Sequence, residues 1–105
     1  MERRSSERID AGVPAELDTA TEQGHAGILQ DVSDTGALLL SRVALKTDEE
    51  LLVRFRAAGR DAELEEVRAT VVRSEPNDAE SVWPIRSALE FGARVTLDRD
   101  ALSDP

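Results

Sequence analysis

The stretch Asp31-Val32-Ser33-Asp34-Thr35-Gly36 lies between two apolar runs, Ile28-Leu29 and Ala37-Leu38-Leu39-Leu40. A carboxylate, a hydroxyl and a glycine at fixed offsets between short hydrophobic segments describe a strand, a corner and a second strand. Ala37 to Leu40 carries no polar alternation, the pattern of a strand buried on both faces. Taken alone the corner is an ordinary Asp/Ser/Gly turn, and its significance depends on what surrounds it.

On the N-terminal side, Gly24-His25-Ala26-Gly27 opens the Ile28–Gln30 strand, and Thr19 to Gly24 is a polar connection. Before it, Val13, Ala15 and Leu17 alternate with Pro14, Glu16 and Asp18, the period of a half-buried strand. Pro14 cannot donate to a ladder, so this strand either lies at an edge or starts there. Residues 1–11 are polar and charged and read as a flexible arm.

On the C-terminal side, Thr47-Asp48-Glu49-Glu50 has the spacing of a helix capping box. Leu51, Val53 and Phe55 alternate with Leu52, Arg54 and Arg56, however, and this favours a strand after a polar turn. Ala57 to Asp61 reads as a hairpin loop. Val67, Ala69 and Val71 then form one face of a long strand that runs out near Ser74-Glu75, and Pro76-Asn77-Asp78 is a turn. The last strand spans Ile85 to Val95, with Leu89, Phe91, Ala93 and Val95 on one face, and Trp83-Pro84 before it reads as a packed hairpin end. Pro105 leaves room for only a short terminal turn after Asp98 and for little or no C-terminal helix.

About six strands with almost no helical pattern predict an all-β fold, a small antiparallel β-barrel over residues 12–98, with the arm at 1–11 and a short tail at 99–105. The 105 residues suffice for one modest core, and with aromatics at 3% (Phe55, Trp83, Phe91) that core is aliphatic.

The formal net charge of −9 disfavours binding to DNA or RNA. The exception is the N-terminus, where Arg3, Arg4 and Arg8 outnumber Glu2 and Glu7. With 0 cysteines and 1 histidine, His25, there is no disulfide framework, thiolate site or recognisable zinc site, and His25 reads as an exposed loop or strand-edge side chain. No run is long enough to insert in a membrane and no signal-peptide pattern follows Met1, so a cytoplasmic location is expected.

Catalysis has no positive signal. Glu49-Glu50 and Glu63, Glu65 and Glu66 read as solvated surface. No phosphate-cradling glycine motif is present, and nothing marks Ser33 as a nucleophile. No enzymatic activity, metal or cofactor is therefore expected, and what remains is binding. Guanidinium forks match phosphate oxygens and the O6/N7 edge of guanine. Asp31 can accept from a base amino or imino group, Ser33 can bond a base or phosphate, and Gly36 lets the corner approach a ligand. The arginines are read as the second half of this site, belonging to the opposite end of the barrel.

Arg4-x-x-x-Arg8 followed by Asp31-x-Ser33-x-x-Gly36 resembles the two-part signature of the PilZ domain, a bacterial receptor for cyclic di-GMP. The Arg3-Arg4-x-x-x-Arg8-Ile9 opening, the strand order and the late Leu89-Glu90-Phe91 segment are similar too, so the resemblance covers nearly the whole chain. It implies a six-stranded barrel with the arm closing over cyclic di-GMP. Arg4 and Arg8 would bind guanine edges and phosphates, Asp31 and Ser33 would hold a second base or phosphate, and Gly36 would give clearance. Arg3 directly before Arg4 points, within the family, to a stacked ligand pair. The implied protein is a stand-alone receptor, monomeric or weakly homo-oligomeric, that signals to an unidentified effector protein. The alternative is a PilZ-like adaptor that works through protein contacts without nucleotide. Many members carry a C-terminal helix on the barrel, and this chain departs from them there.

Overall fold

The computed structural model describes residues 12–59, 61–78 and 80–97. Arg3, Arg4 and Arg8, with the expected arm, and the tail at 99–105 lie outside the described residues. The strands are β1 (Val13–Asp18), β2 (His25–Gln30), β3 (Gly36–Ser41), β4 (Glu50–Phe55), β5 (Glu65–Pro76) and β6 (Ile85–Phe91), with no helix among the described residues. All pairings are antiparallel, and the order β1-β2-β3-β6-β5-β4 closes into a barrel through β1 and β4. Closure satisfies the backbone groups that an open sheet would leave at its edges.

Closure also decides the Pro14 question. Pro14 faces Ile28 on β2, and the ladder to β4 begins one residue later at Ala15, so the proline sits at the start of a fully paired strand. The capping-box spacing at Thr47 has likewise yielded to pairing. Asp48 adopts a left-handed φ of 72°, its N–H donates to the Val71 carbonyl, and Val71 returns a bond to the Glu49 carbonyl.

Alternation sends Leu17, Leu29, Leu39, Val53, Phe55, Ala69 and Val71 into a fully shielded interior. The rings of Phe55 and Phe91 stack with centroids 6.0 Å apart, and Val32, Leu45, Ala57 and Val95 enter the same cluster from outside the strands. The buried serines are satisfied: Ser41 Oγ donates to the Val43 carbonyl and Ser87 Oγ to Ser74 Oγ. At the β5–β6 hairpin end, Trp83 is half-buried with the Arg42 guanidinium 5.4 Å above its ring. His25 is a surface residue, its Nε2 2.7 Å from Glu22 Oε1.

Two expectations about strand length are corrected. β5 continues to Pro76 through a bulge between Val71 and Arg73, which interrupts its period of two. β6 ends at Phe91, not Val95: Gly92 N–H donates to the Arg68 carbonyl, the chain leaves the sheet, and Ala93 is exposed while Val95 turns back into the core. The expected place of the arginines, at the opposite end of the barrel, falls outside the described residues. An antiparallel hairpin returns to the end where it began, so Val13 pairs with Leu29 and the described chain enters beside the Asp31 corner.

Register builds one ion cluster on the outer wall. Glu16, Arg54 and Glu66 lie directly opposite one another on β1, β4 and β5, and Asp18 lies one outward position along β1. Arg54 grips Asp18 with two bonds of 2.9 and 2.8 Å, and bonds Glu16 and Glu66 at 3.0 Å each. Those bonds, with the Gly24 N–H that also donates to Asp18, hold the Asp18 carboxyl below its ordinary pKa and hold Arg54 above its own. A carboxyl whose folded-state pKa is depressed contributes stability above its unfolded pKa and loses it as the pH falls through the folded value. The wild-type chain should therefore be more stable than Arg54→Gln in urea titrations at pH 7. That margin should shrink once the pH drops below about 4, the ordinary aspartate value; a margin that does not change with pH would mean that the cluster contributes no charge-dependent stability.

Candidate functional site

The corner between β2 and β3 is built by its own side chains. Asp31 takes a left-handed φ of 49°, a conformation that Asp tolerates better than most residues, and turns the chain off β2. Val32 then drops fully buried into the barrel mouth. Ser33 N–H donates to the Gly36 carbonyl at 2.8 Å, and Ser33 Oγ accepts the N–H groups of Thr35 and Gly36 at 3.3 and 3.2 Å. The corner is stapled to the end of β6 and the segment after it: Phe91 N–H donates to the Thr35 carbonyl, Val95 N–H to the Asp34 carbonyl, and Arg94 Nη1 to Asp34 Oδ2 at 2.9 Å. Asp34 Oδ1 is buried with no hydrogen-bond partner among the described residues.

Gly36 faces Glu90 across the β3–β6 ladder. A Cβ there would lie 2.4 Å from the Leu89 carbonyl oxygen, so the clearance that this glycine supplies is between two strands of the barrel. Ser33, only 7% exposed, spends its hydroxyl on the turn. The Asp31 carboxylate, by contrast, accepts no hydrogen bond among the described residues, and it is the group that the corner offers outward.

The structure brings Asp31, Ser33 and Gly36 to the rim of one cleft of about 300 Å³. Thr35, Ala37, Leu38, Arg73, Ala88, Leu89 and Glu90 complete its lining among the described residues, and sequence reasoning gave none of them a binding role. The signal for Arg73 was present in Val71-Val72-Arg73, where two successive apolar residues break the alternation of β5. A larger hollow of about 530 Å³ lies at the opposite end of the barrel, between the β1–β2 and β3–β4 connections. Among the described residues Lys46 is the one cation in its lining, beside Glu22, Asp48 and Glu49, so the hollow is ill suited to an anion. Among the described residues no three His, Asp or Glu side chains gather as a metal site.

The model of the PilZ domain matches residues 2–103. Among solved structures, the chain is similar to the Bacillus subtilis inhibitor of motility MotI/DgrA, at 19% identity and a TM-score of 0.69 over 98% of this chain and 48% of that one. The chain thus spans about half the length of that protein. It is also similar to the PilZ domain with c-di-GMP of YcgR from Escherichia coli, at 18% identity and a TM-score of 0.67 over 95% of this chain and 86% of that one. No curated protein matches it.

The corner's internal duties make a prediction. Gly36→Ala should lower unfolding stability by about 1–3 kcal/mol, because a backbone carbonyl must move to admit the methyl group. Ser33→Ala should cost about 1–3 kcal/mol for the turn N–H groups left unpaired. Asp31→Gly keeps the left-handed backbone free of strain and should cost about 1 kcal/mol or less. Chemical denaturation of the three variants checks the ranking, and equal stability across the series would contradict it.

Proposed function

The chain belongs to the PilZ domain family, and from that premise we propose that it binds cyclic di-GMP at the Asp31–Gly36 corner and relays the bound state to a partner protein through ordering of its N-terminal segment. The observation that carries this reading is the cleft in which the corner meets Arg73, at the barrel end where the chain arrives from Arg4 and Arg8. Cyclic di-GMP offers guanine edges and phosphodiester oxygens. The Asp31 carboxylate suits the amino and imino donors of guanine, and guanidinium forks suit the phosphates and the O6/N7 edge. A negative protein can take such a ligand because a small dianion senses mainly the charges within a Debye length, about 10 Å at 0.1 M salt.

The likeness of fold to the E. coli domain with c-di-GMP supports the choice of ligand, and the likeness to an inhibitor of motility supports a regulatory role without catalysis. On this reading the protein acts in the cytoplasm, as a monomer or weak homo-oligomer, and Arg3 favours a stacked pair of ligand molecules.

A second reading, a protein-contact adaptor without nucleotide, is favoured by one observation. Ser33 and Gly36 have structural duties in the turn and against Leu89, so an adaptor would keep them too. The discriminating groups are Asp31, whose backbone conformation glycine would serve as well, and the arginines.

Titration calorimetry with cyclic di-GMP, and GTP as control, separates the readings. Wild-type chain should bind cyclic di-GMP selectively. Arg4→Ala or Arg8→Ala should weaken binding about 10- to 100-fold, equivalent to about 1.4–2.8 kcal/mol, and Asp31→Gly about tenfold. Unchanged affinity in both arginine variants would remove the N-terminal segment from the site, and no heat from the wild-type chain would favour the adaptor.

A further inference from the structure

The β5 bulge decides where Arg73 points. In an unbroken strand the inward series Val67, Ala69 and Val71 would continue to residue 73 and bury a guanidinium in the core. The extra residue at the bulge is Val72, which stands 52% exposed, and Arg73 is carried to the outer wall opposite Ala88, which itself faces Leu38. These outward positions form one row across β5, β6 and β3, and all line the cleft at the Asp31 corner. Bulges commonly re-aim a side chain in this way beside a site.

The guanidinium so placed is available. Its one approach to a carboxylate among the described residues is Nε to Glu75 Oε1 at 3.7 Å, too long for a hydrogen bond, and its side chain is 63% exposed. Glu75 has a better partner in Arg86, whose Nη2 donates to it at 2.6 Å and holds its carboxyl below the ordinary range. If Arg73 swings to another anion, Glu75 stays paired. Arg54, by contrast, is committed to its carboxylate cluster and Arg94 to Asp34.

The cleft needs such a group. Among the described residues that line it, Asp31 and Glu90 are negative and Arg73 is the one cation, so without it the barrel wall itself would repel an anionic ligand. We propose that Arg73 is a ligand-contacting residue that determines affinity, a guanidinium built into the barrel wall that takes a phosphodiester oxygen of the bound cyclic dinucleotide. The inference rests on the cyclic di-GMP reading given above. It places this cation on the wall, where β5 and β6 hold Arg73 before ligand arrives.

Cyclic di-GMP titrations on the full chain test it. Arg73→Ala should bind about tenfold more weakly than wild type, with a shallower dependence on salt and an unchanged melting temperature without ligand. Arg73→Lys, which keeps the charge and loses the fork, should recover part of the loss. Arg68→Ala, a charge-matched change on the same strand outside the cleft, should leave affinity at the wild-type value. If wild type binds while Arg73→Ala binds equally well, or Arg68→Ala weakens binding as much, the wall contact is overturned and the cyclic di-GMP reading stands. No binding by wild type overturns both.

Discussion

The ladder between β1 and β4 is the constraint on which the other features depend, because it turns a six-stranded sheet into a barrel. With both ends of the strand order joined, every inward position faces every other across one small interior. A chain with three aromatic residues can fill that interior with Leu, Val and Ala around one stacked phenylalanine pair. The same seam carries the Arg54 cluster on its outer side, so the strands that close the barrel are joined by backbone bonds and by charge. The exposure of Glu16 and Glu66 limits the worth of their ion pairs, and the shared arginine also relieves the mutual repulsion of the carboxylates.

Closure also gathers the site. In an antiparallel barrel, successive connections alternate between the two ends. The entry to β1, the corner after β2 and the exit from β6 therefore share one end, although residues 12, 31 and 92 are far apart in the chain. The corner is held rigid from two directions, by Ser33 from within and by the segment after β6 through Asp34 and Thr35. A motif residue can thus be required without touching a ligand: Gly36 is needed because Leu89 lies behind it, and Ser33 because the turn has N–H groups to satisfy. The presence of a complete motif is weaker support for binding than an Asp31 that lines the cleft and accepts no hydrogen bond among the described residues.

Where sequence reasoning fell short, the missing quantity was tertiary. Periodicity carried β6 on to Val95 because alternation persists there, while bonds to Arg68 and Asp34 bend the chain after Phe91. The bulge in β5 left a visible mark in Val71-Val72, but its consequence, an arginine on the wall of the cleft, follows only from the pairing with β6.

The sequence by itself determined the strands, their inward faces, the aliphatic core, the corner at Asp31 and the family resemblance, because period-two burial and turn chemistry are properties of neighbouring residues. Tertiary structure alone decided which strands pair, which end holds the cleft, that Ser33 and Gly36 serve the corner itself, and that Arg73 and Glu90 line that cleft. Those facts depend on register, and register is set by the packing of all six strands around one interior, which no local stretch encodes.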